Sequence, residues 1–149
     1  MATVPAPDKP RLLALGDAGW TLQFGDAIHP DTHARVMGLQ AQLHARRRAD
    51  PLLAGIFDVV PTFRSLTVHF DPWTTDAAAL GRHLQALAQE GHRSEAQGRH
   101  WRLPVCFDED FAPDLPRVCE LKQLTRSELI DRLLGATFRV YMLGFQPGF

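Results

Sequence analysis

Trp20-Thr-Leu-Gln-Phe24 is the stretch that decides the fold of the first part of the chain. Apolar Trp20, Leu22 and Phe24 alternate with polar residues, which predicts a strand with one buried face. The tight turn 16–19 precedes it, and residues 11–15 before that turn read as an antiparallel partner strand. The sequence therefore predicts a hairpin that needs an apolar layer on one side.

The same arrangement recurs further along the chain. Residues 30–48 carry an apolar stripe with helical spacing, and residues 56–60 and 65–70 read as a second pair of strands. A second helix, with Thr74 or Thr75 as its N-cap, is expected to run to about Glu90 with leucines on one face. The order ββαββα predicts an α+β sandwich, with one antiparallel sheet and both helices on the same face. We place this domain at residues 1–92.

Residues 93–149 are expected to form a second, incomplete unit. A polar segment over 92–99 reads as a linker, and residues 101–107 read as a strand. A short helix is predicted for 116–121, and the capping box Thr125-Arg-Ser-Glu128 opens another. Two strands and two short helices provide only part of a hydrophobic core.

The last stretch, Thr137-Phe-Arg-Val-Tyr-Met-Leu-Gly-Phe-Gln-Pro-Gly-Phe149, begins as an alternating strand and ends as an aromatic-flanked turn. Aromatic side chains on a Pro-Gly turn are typical of a pocket mouth. An ordinary hairpin turn whose aromatic side chains fill a core is the alternative interpretation.

Composition excludes several classes of function. The 149 residues carry a formal net charge of -1, so no overall field attracts nucleic acid or an anionic membrane. No apolar run is long enough to span a membrane, and the first ten residues lack the apolar core of a signal peptide, so the cytoplasm is the expected location. The two cysteines, Cys106 and Cys119, are too few for a disulfide framework.

Two polar positions are candidates for chemistry. Arg64, followed by Ser65, lies on the loop between the second pair of strands and is suited to holding a carboxylate or a phosphate; a surface arginine is the alternative. His100 is a candidate acid or base, or a structural histidine. No P-loop, GxSxG or HExxH pattern accompanies them.

Two further sets of side chains raise the question of a metal. His29 and His33 are four residues apart, but Pro30 between them favours a solvated helix start over a metal site. The acidic loop 108–110 has carboxylates that could bind Mg²⁺, with solvation as the alternative. We predict no metal site on this chain.

Seven short blocks, in this order, resemble one family. They are Gly16-Asp17, Phe24-Gly25-Asp26, Val59-Val-Pro-Thr-Phe-Arg-Ser-Leu66, Phe70-Asp-Pro72, Leu103-Pro-Val-Cys-Phe107, Asp114-Leu115 and Tyr141-Met-Leu-Gly-Phe-Gln-Pro-Gly-Phe149. The family is that of the KipI-like proteins, which also includes the B subunit of bacterial 5-oxoprolinase and is called the allophanate hydrolase subunit 1 family.

The resemblance implies a small ferredoxin-like domain followed by a cyclophilin-like β-barrel, of which this sequence holds the first part. It implies a complex with KipA-like and LamB/YcsF-like subunits that uses ATP with Mg²⁺ to open 5-oxo-L-proline to L-glutamate. The isolated chain is expected to be inactive.

The resemblance also suggests roles for individual residues. Arg64 and Ser65 become candidates for contact with the substrate or a phosphate, and His100 for acid–base work. The pocket wall that faces a partner would consist of Tyr141, Gly144, Phe145, Pro147 and Gly148. Relatives often carry tyrosine where this sequence has Phe63, Phe107 and Phe138, and often histidine near Leu133. This sequence therefore lacks hydroxyl groups and an imidazole that the pocket of those relatives would contain.

Two other functions compete with a role in the enzyme. The family's namesake resembles an inhibitor of a sensor histidine kinase, and Phe145 and Phe149 would supply the aromatic docking patch here. A domain that only oligomerises through its sheet edges is the third.

Overall fold

A computed structural model describes residues 9–94 and 98–144. The described chain forms two compact units, the first containing residues 9–94 and 141–144, the second residues 98–140. The predicted domain boundary at residue 92 stays a prediction.

The first unit is a four-stranded sheet with two helices. Its elements are β1 (Arg11–Ala14), β2 (Gly19–Gln23), α1 (Pro30–Arg46), a 3₁₀ turn (Pro51–Leu53), β3 (Ile56–Pro61), β4 (Ser65–Phe70) and α2 (Ala77–Gln89). The strand order is β1-β2-β4-β3, and every neighbouring pair is antiparallel. The predicted order of strands and helices is confirmed for this unit, whereas the ferredoxin-like description stays a prediction.

One face of the sheet carries the core. Along β4, buried Leu66, Val68 and Phe70 alternate with partly exposed Ser65, Thr67 and His69, as a period of two requires. Both helices cover this face with large buried side chains, namely Val36, Leu39 and Leu43 of α1 and Leu80, Leu84 and Leu87 of α2. Both helices therefore pack on one side of the sheet, as predicted.

Polar contacts fix the positions of the two helices. The indole Nε1 of Trp20 donates to the Ala77 carbonyl at the start of α2 at 2.8 Å. The carboxylate of Asp76 accepts from the Ala79 N–H at 2.9 Å, so Asp76 caps α2 and the prediction of Thr74 or Thr75 is wrong. At the other end, Arg46 donates to Glu90 at 3.0 Å, and this hydrogen bond lowers the pKa of the Glu90 carboxyl.

The chain that leaves α2 returns along α1. The Ser94 N–H donates to the Ala34 carbonyl at 3.0 Å, and Arg93 lies 3.7 Å from the Asp31 carboxylate. Gly38 makes this approach possible, because a Cβ added there would overlap the carbonyl oxygen of His92. The start of the predicted linker is thus packed against a helix.

The second unit contains α3 (Leu115–Lys122) and α4 (Arg126–Gly135), joined through Gln123 in a left-handed conformation with φ of 53°. The predicted capping box is confirmed: the Glu128 N–H donates to the Thr125 hydroxyl oxygen at 3.2 Å, and the Thr125 N–H donates to the Glu128 carboxylate at 2.8 Å. Hydrogen bonds from Thr125 lower the pKa of Glu128. The cap accounts for the start of α4.

The two strands predicted for residues 101–107 and 137–143 are wrong. Both segments lack regular secondary structure, and their large apolar side chains are exposed, with Trp101 at 72% and Phe138 at 73%. A strand needs a neighbour to hydrogen-bond its backbone, and the described part of the chain supplies none for either segment. The cyclophilin-like barrel therefore stays a prediction.

None of the helices in the described ranges combines the length and apolar character needed to cross a membrane.

Replacing Gly38 by alanine tests the packing of residues 92–94. Helix propensity alone would stabilise α1 by about 0.5–1 kcal/mol, but overlap with the His92 carbonyl should cost about 1–3 kcal/mol. We therefore expect Gly38→Ala to lower the free energy of unfolding measured by denaturant titration. Gly135→Ala is the matched control, because a Cβ there meets nothing within 4 Å. A Gly38→Ala variant more stable than the wild type would contradict this packing.

Candidate functional site

Arg64 and Ser65 lie near one end of the sheet of the first unit, where β2 ends and the β3–β4 turn begins. The register of β2 with β4 brings these segments together, and the Phe24 N–H donates to the Arg64 carbonyl at 2.9 Å. The chain after β2, Gly25-Asp26, therefore runs beside Arg64, the arginine predicted to hold an anion.

Asp26 is the centre of a polar cluster at this end. Its carboxylate accepts from Arg11 at 2.9 Å and from the Gln23 side-chain amide at 2.7 Å. The Arg64 guanidinium donates to the Asp26 backbone carbonyl at 2.7 Å and lies 3.8 Å from the Asp26 carboxylate. Two cations thus face one anion, which leaves a local excess of positive charge.

Arg64 is held on the turn as well as by Asp26. Its guanidinium lies over the Phe63 ring at 5.5 Å, and its side chain remains 36% exposed. A guanidinium has five N–H donors, so these contacts leave capacity for a bound anion. The predicted role of Arg64 stays a prediction, but its geometry is compatible with that role.

Ser65 completes the turn. Its N–H donates to the Thr62 hydroxyl oxygen at 3.1 Å, and the two hydroxyl groups lie 2.9 Å apart. This local bonding gives Ser65 a structural role in presenting Arg64. Contact between Ser65 and a substrate is untested.

Tyr141 contacts the start of α1. Its ring meets that of His33 edge-on, with centroids 5.2 Å apart and planes at 73°. Two residues further along α1, Arg35 donates to the Phe24 carbonyl at 3.3 Å and lies over the Phe24 ring. The first turns of α1 therefore contact Tyr141 through His33 and the end of β2 through Arg35.

The other predicted residues are not joined to this cluster. His100 lies in the second unit as an exposed residue outside regular structure. Gly144 has φ of 150°, a value that favours glycine. Phe145, Pro147 and Gly148 lie outside the described residues.

Asp26, Arg11 and Gln23, which also belong to this cluster, were not among the residues predicted from the sequence. Phe24-Gly25-Asp26 belonged to one of the family blocks, so a signal existed for Asp26. For Arg11 the sequence showed only a position at the start of the predicted first strand. Its pairing with Gln23 became visible in the register of β1 with β2.

Two depressions of the first unit, of about 770 and 320 Å³, lie elsewhere. Their shared lining includes Ala54, Gly55 and Thr74 at the start of β3 and the end of β4. Neither contains Arg64, Ser65 or Tyr141.

Comparison with known families identifies the chain. Residues 10–149 match the family model described as carboxyltransferase domain, subdomain C and D. The chain belongs to this family. The resemblance stated from the sequence blocks is thereby confirmed.

Two curated relatives agree with this assignment, and both are named as the B subunit of 5-oxoprolinase. The chain is 30% identical over 146 residues to the protein of Bacillus subtilis (strain 168), covering 91% of this chain and 59% of the relative. It is 34% identical over 110 residues to the protein of Haemophilus influenzae, covering 74% and 51% respectively. The chain thus spans between half and three fifths of the length of these relatives.

A solved structure shares the fold. The crystal structure of TTHA0988 in space group P212121 matches with a TM-score of 0.65 and 30% sequence identity. The match covers 87% of this chain and 24% of that chain. The same fold therefore also occurs within a much longer polypeptide.

The contact between His33 and Tyr141 can be tested by NMR, because Tyr141 is the single tyrosine of the chain. With ring-labelled tyrosine, we expect His33→Ala to shift the Tyr141 ring resonances, since the edge-on imidazole is removed. His44→Ala, an exposed histidine on the same helix, is the control and should leave them unchanged. Identical spectra for both variants would show that Tyr141 does not lie against α1.

Proposed function

We propose that the chain acts as the B subunit of an ATP-dependent 5-oxoprolinase that converts 5-oxo-L-proline to L-glutamate. Its partners would be KipA-like and LamB/YcsF-like subunits. The observation that supports this is the family match over residues 10–149, together with two relatives that carry the name of this component of the enzyme. The cytoplasmic location also stays a prediction.

Opening the ring of 5-oxoproline means hydrolysing a stable amide. When bound to the complex, ATP would supply the activation of the amide carbonyl. The task left to the protein is to orient the substrate and to stabilise negative charge with guanidinium and backbone N–H groups. We assign part of that task to the polar cluster around Asp26.

Arg64 is the group in this cluster that we propose contacts an anion. Asp26 and the Phe63 ring hold the guanidinium in place, while more than a third of the side chain remains exposed to solvent. A guanidinium fixed in this way loses less conformational entropy on binding a carboxylate or a phosphate. Ser65 would present it, and Tyr141 would border the same end of the first unit.

His100 is proposed as an acid or base only within the assembled complex. Its imidazole belongs to the second unit and is exposed. Gly144, with Phe145, Pro147 and Gly148, remains the proposed wall toward a partner protein.

Mg²⁺ that accompanies a nucleotide is usually held by one or two carboxylates and by the phosphates. Within 9–94 and 98–144, no three His, Cys, Asp or Glu side chains converge on one point. We therefore place ATP and Mg²⁺ at the level of the complex and assign no ligand for them to this chain.

Inhibition of a histidine kinase is not favoured. The relatives are named as components of an enzyme. Phe145 and Phe149, the aromatic residues proposed for that docking, lie outside the described residues and neither support nor oppose it.

Replacing Arg64 tests the proposal in the assembled complex. After co-expression with the KipA-like and LamB/YcsF-like subunits, ATP- and 5-oxoproline-dependent release of glutamate is measured. We expect Arg64→Ala to reduce kcat/KM about tenfold or more, because a charge-assisted hydrogen bond contributes about 1.5–3 kcal/mol. Arg64→Lys should retain part of the activity, since it keeps the charge and loses the planar fork.

Arg48→Ala is the control, because Arg48 is an exposed arginine beyond the end of α1. Equal rates for the Arg64→Ala and Arg48→Ala complexes would remove Arg64 from the mechanism. A correctly assembled wild-type complex without ATP-dependent glutamate release would overturn the proposed function itself.

A further inference from the structure

The two edges of the sheet differ in their free backbone groups. Successive residues of an antiparallel strand direct their N–H and C=O groups alternately toward and away from a given neighbour. The register and the hydrogen bonds of the turns therefore show which groups of β1 and β3 point outward.

The β3 edge is closed to another strand. The Thr62 N–H donates to the Ser65 carbonyl, which places the outward groups at Ile56, Val59 and Pro61. Arg47 donates to the Ile56 carbonyl, and the Val59 N–H donates to the Asp58 carboxylate at 2.8 Å. Pro61 has no N–H.

A bulge between Ile56 and Asp58 interrupts the same edge. Bulges, prolines and charged side chains are the devices that prevent sheets from pairing edge to edge. An additional strand at β3 would have to displace these local contacts.

The β1 edge is open in the described part of the chain. The Leu15 N–H donates to the Gly19 carbonyl at 2.9 Å, so Leu13 and Arg11 bond to β2 and the groups of Leu12 and Ala14 point outward. Residues 9–94 and 98–144 supply no hydrogen-bond partner for these outward groups. An unpaired edge of this kind is a template for a further strand.

We propose that β1 pairs with β1 of a second copy of this chain, antiparallel about a two-fold axis at Leu13. In this register Leu12 of one copy faces Ala14 of the other, and each such pair exchanges both backbone hydrogen bonds. The two sheets then form one continuous sheet through an isologous contact. Leu13 of each copy lies opposite its equivalent, where side chains approach most closely.

The side chains along β1 are complementary to a second copy. Leu13 and Leu15 are 44% and 49% exposed on the same face, so pairing removes apolar surface from water. Lys9 lies four residues before Leu13, and Asp17 lies four residues after it. A two-fold axis at Leu13 therefore brings Lys9 of one copy to the same end of the paired strands as Asp17 of the other. Both residues are exposed and of opposite charge.

The contact is short, so the dimer dissociates on dilution. Sedimentation equilibrium of the 149-residue chain, from micromolar to near-millimolar concentration, should fit a monomer–dimer equilibrium. Ala14→Pro removes an outward N–H while leaving the Leu13 bonds to β2, and should raise the dimer dissociation constant about tenfold or more. Ala14→Ser keeps the N–H and is the matched control.

Two results would overturn the proposal: a monomer at every concentration, or an Ala14→Pro variant that dimerises as tightly as the Ala14→Ser control. If Ala14→Pro does not fold, the pairing is tested by amide hydrogen exchange of the wild type at increasing protein concentration. The Leu12 and Ala14 amides must become more protected as protein concentration rises, and constant protection of both would refute the pairing.

Discussion

The pairing of β2 with β4 is the constraint on which the first unit depends. A two-stranded hairpin alone is marginally stable in water, and the β2–β4 ladder joins two of them into one sheet. On the core side it sets Leu22 opposite Leu66; on the other side the Thr21 and Thr67 hydroxyl oxygens lie 2.9 Å apart. Both helices then cover the apolar face that this ladder creates.

The same ladder determines which surfaces remain for function. It brings the end of β2 beside the β3–β4 turn, and so places Asp26 against Arg64. It also makes β1 and β3 the outer strands, of which β3 is closed by Arg47 and Asp58. The proposed anion site and the proposed pairing edge therefore arise from one sheet.

Local patterns were enough to predict the four strands and two α-helices of the first unit and the capping box at Thr125, because alternation and apolar stripes are properties of short segments. They did not predict the 3₁₀ turn Pro51–Leu53 or the cap Asp76. They failed for residues 101–107 and 137–143, since alternation does not show whether a neighbouring strand exists. The contacts between Asp26 and Arg64, and between His33 and Tyr141, join residues far apart in sequence. Such pairs follow only from the register of the sheet and from packing.

Native-state hydrogen exchange tests this account most directly. Leu22 and Leu66 bond to each other across the β2–β4 ladder, so their amides should exchange only through global unfolding of the first unit. The amides of Leu103 and Val140, which lie outside any strand, should exchange almost as in an unfolded chain. Equal protection at all four positions, or loss of protection at Leu22 and Leu66 under native conditions, would contradict a chain organised by that ladder.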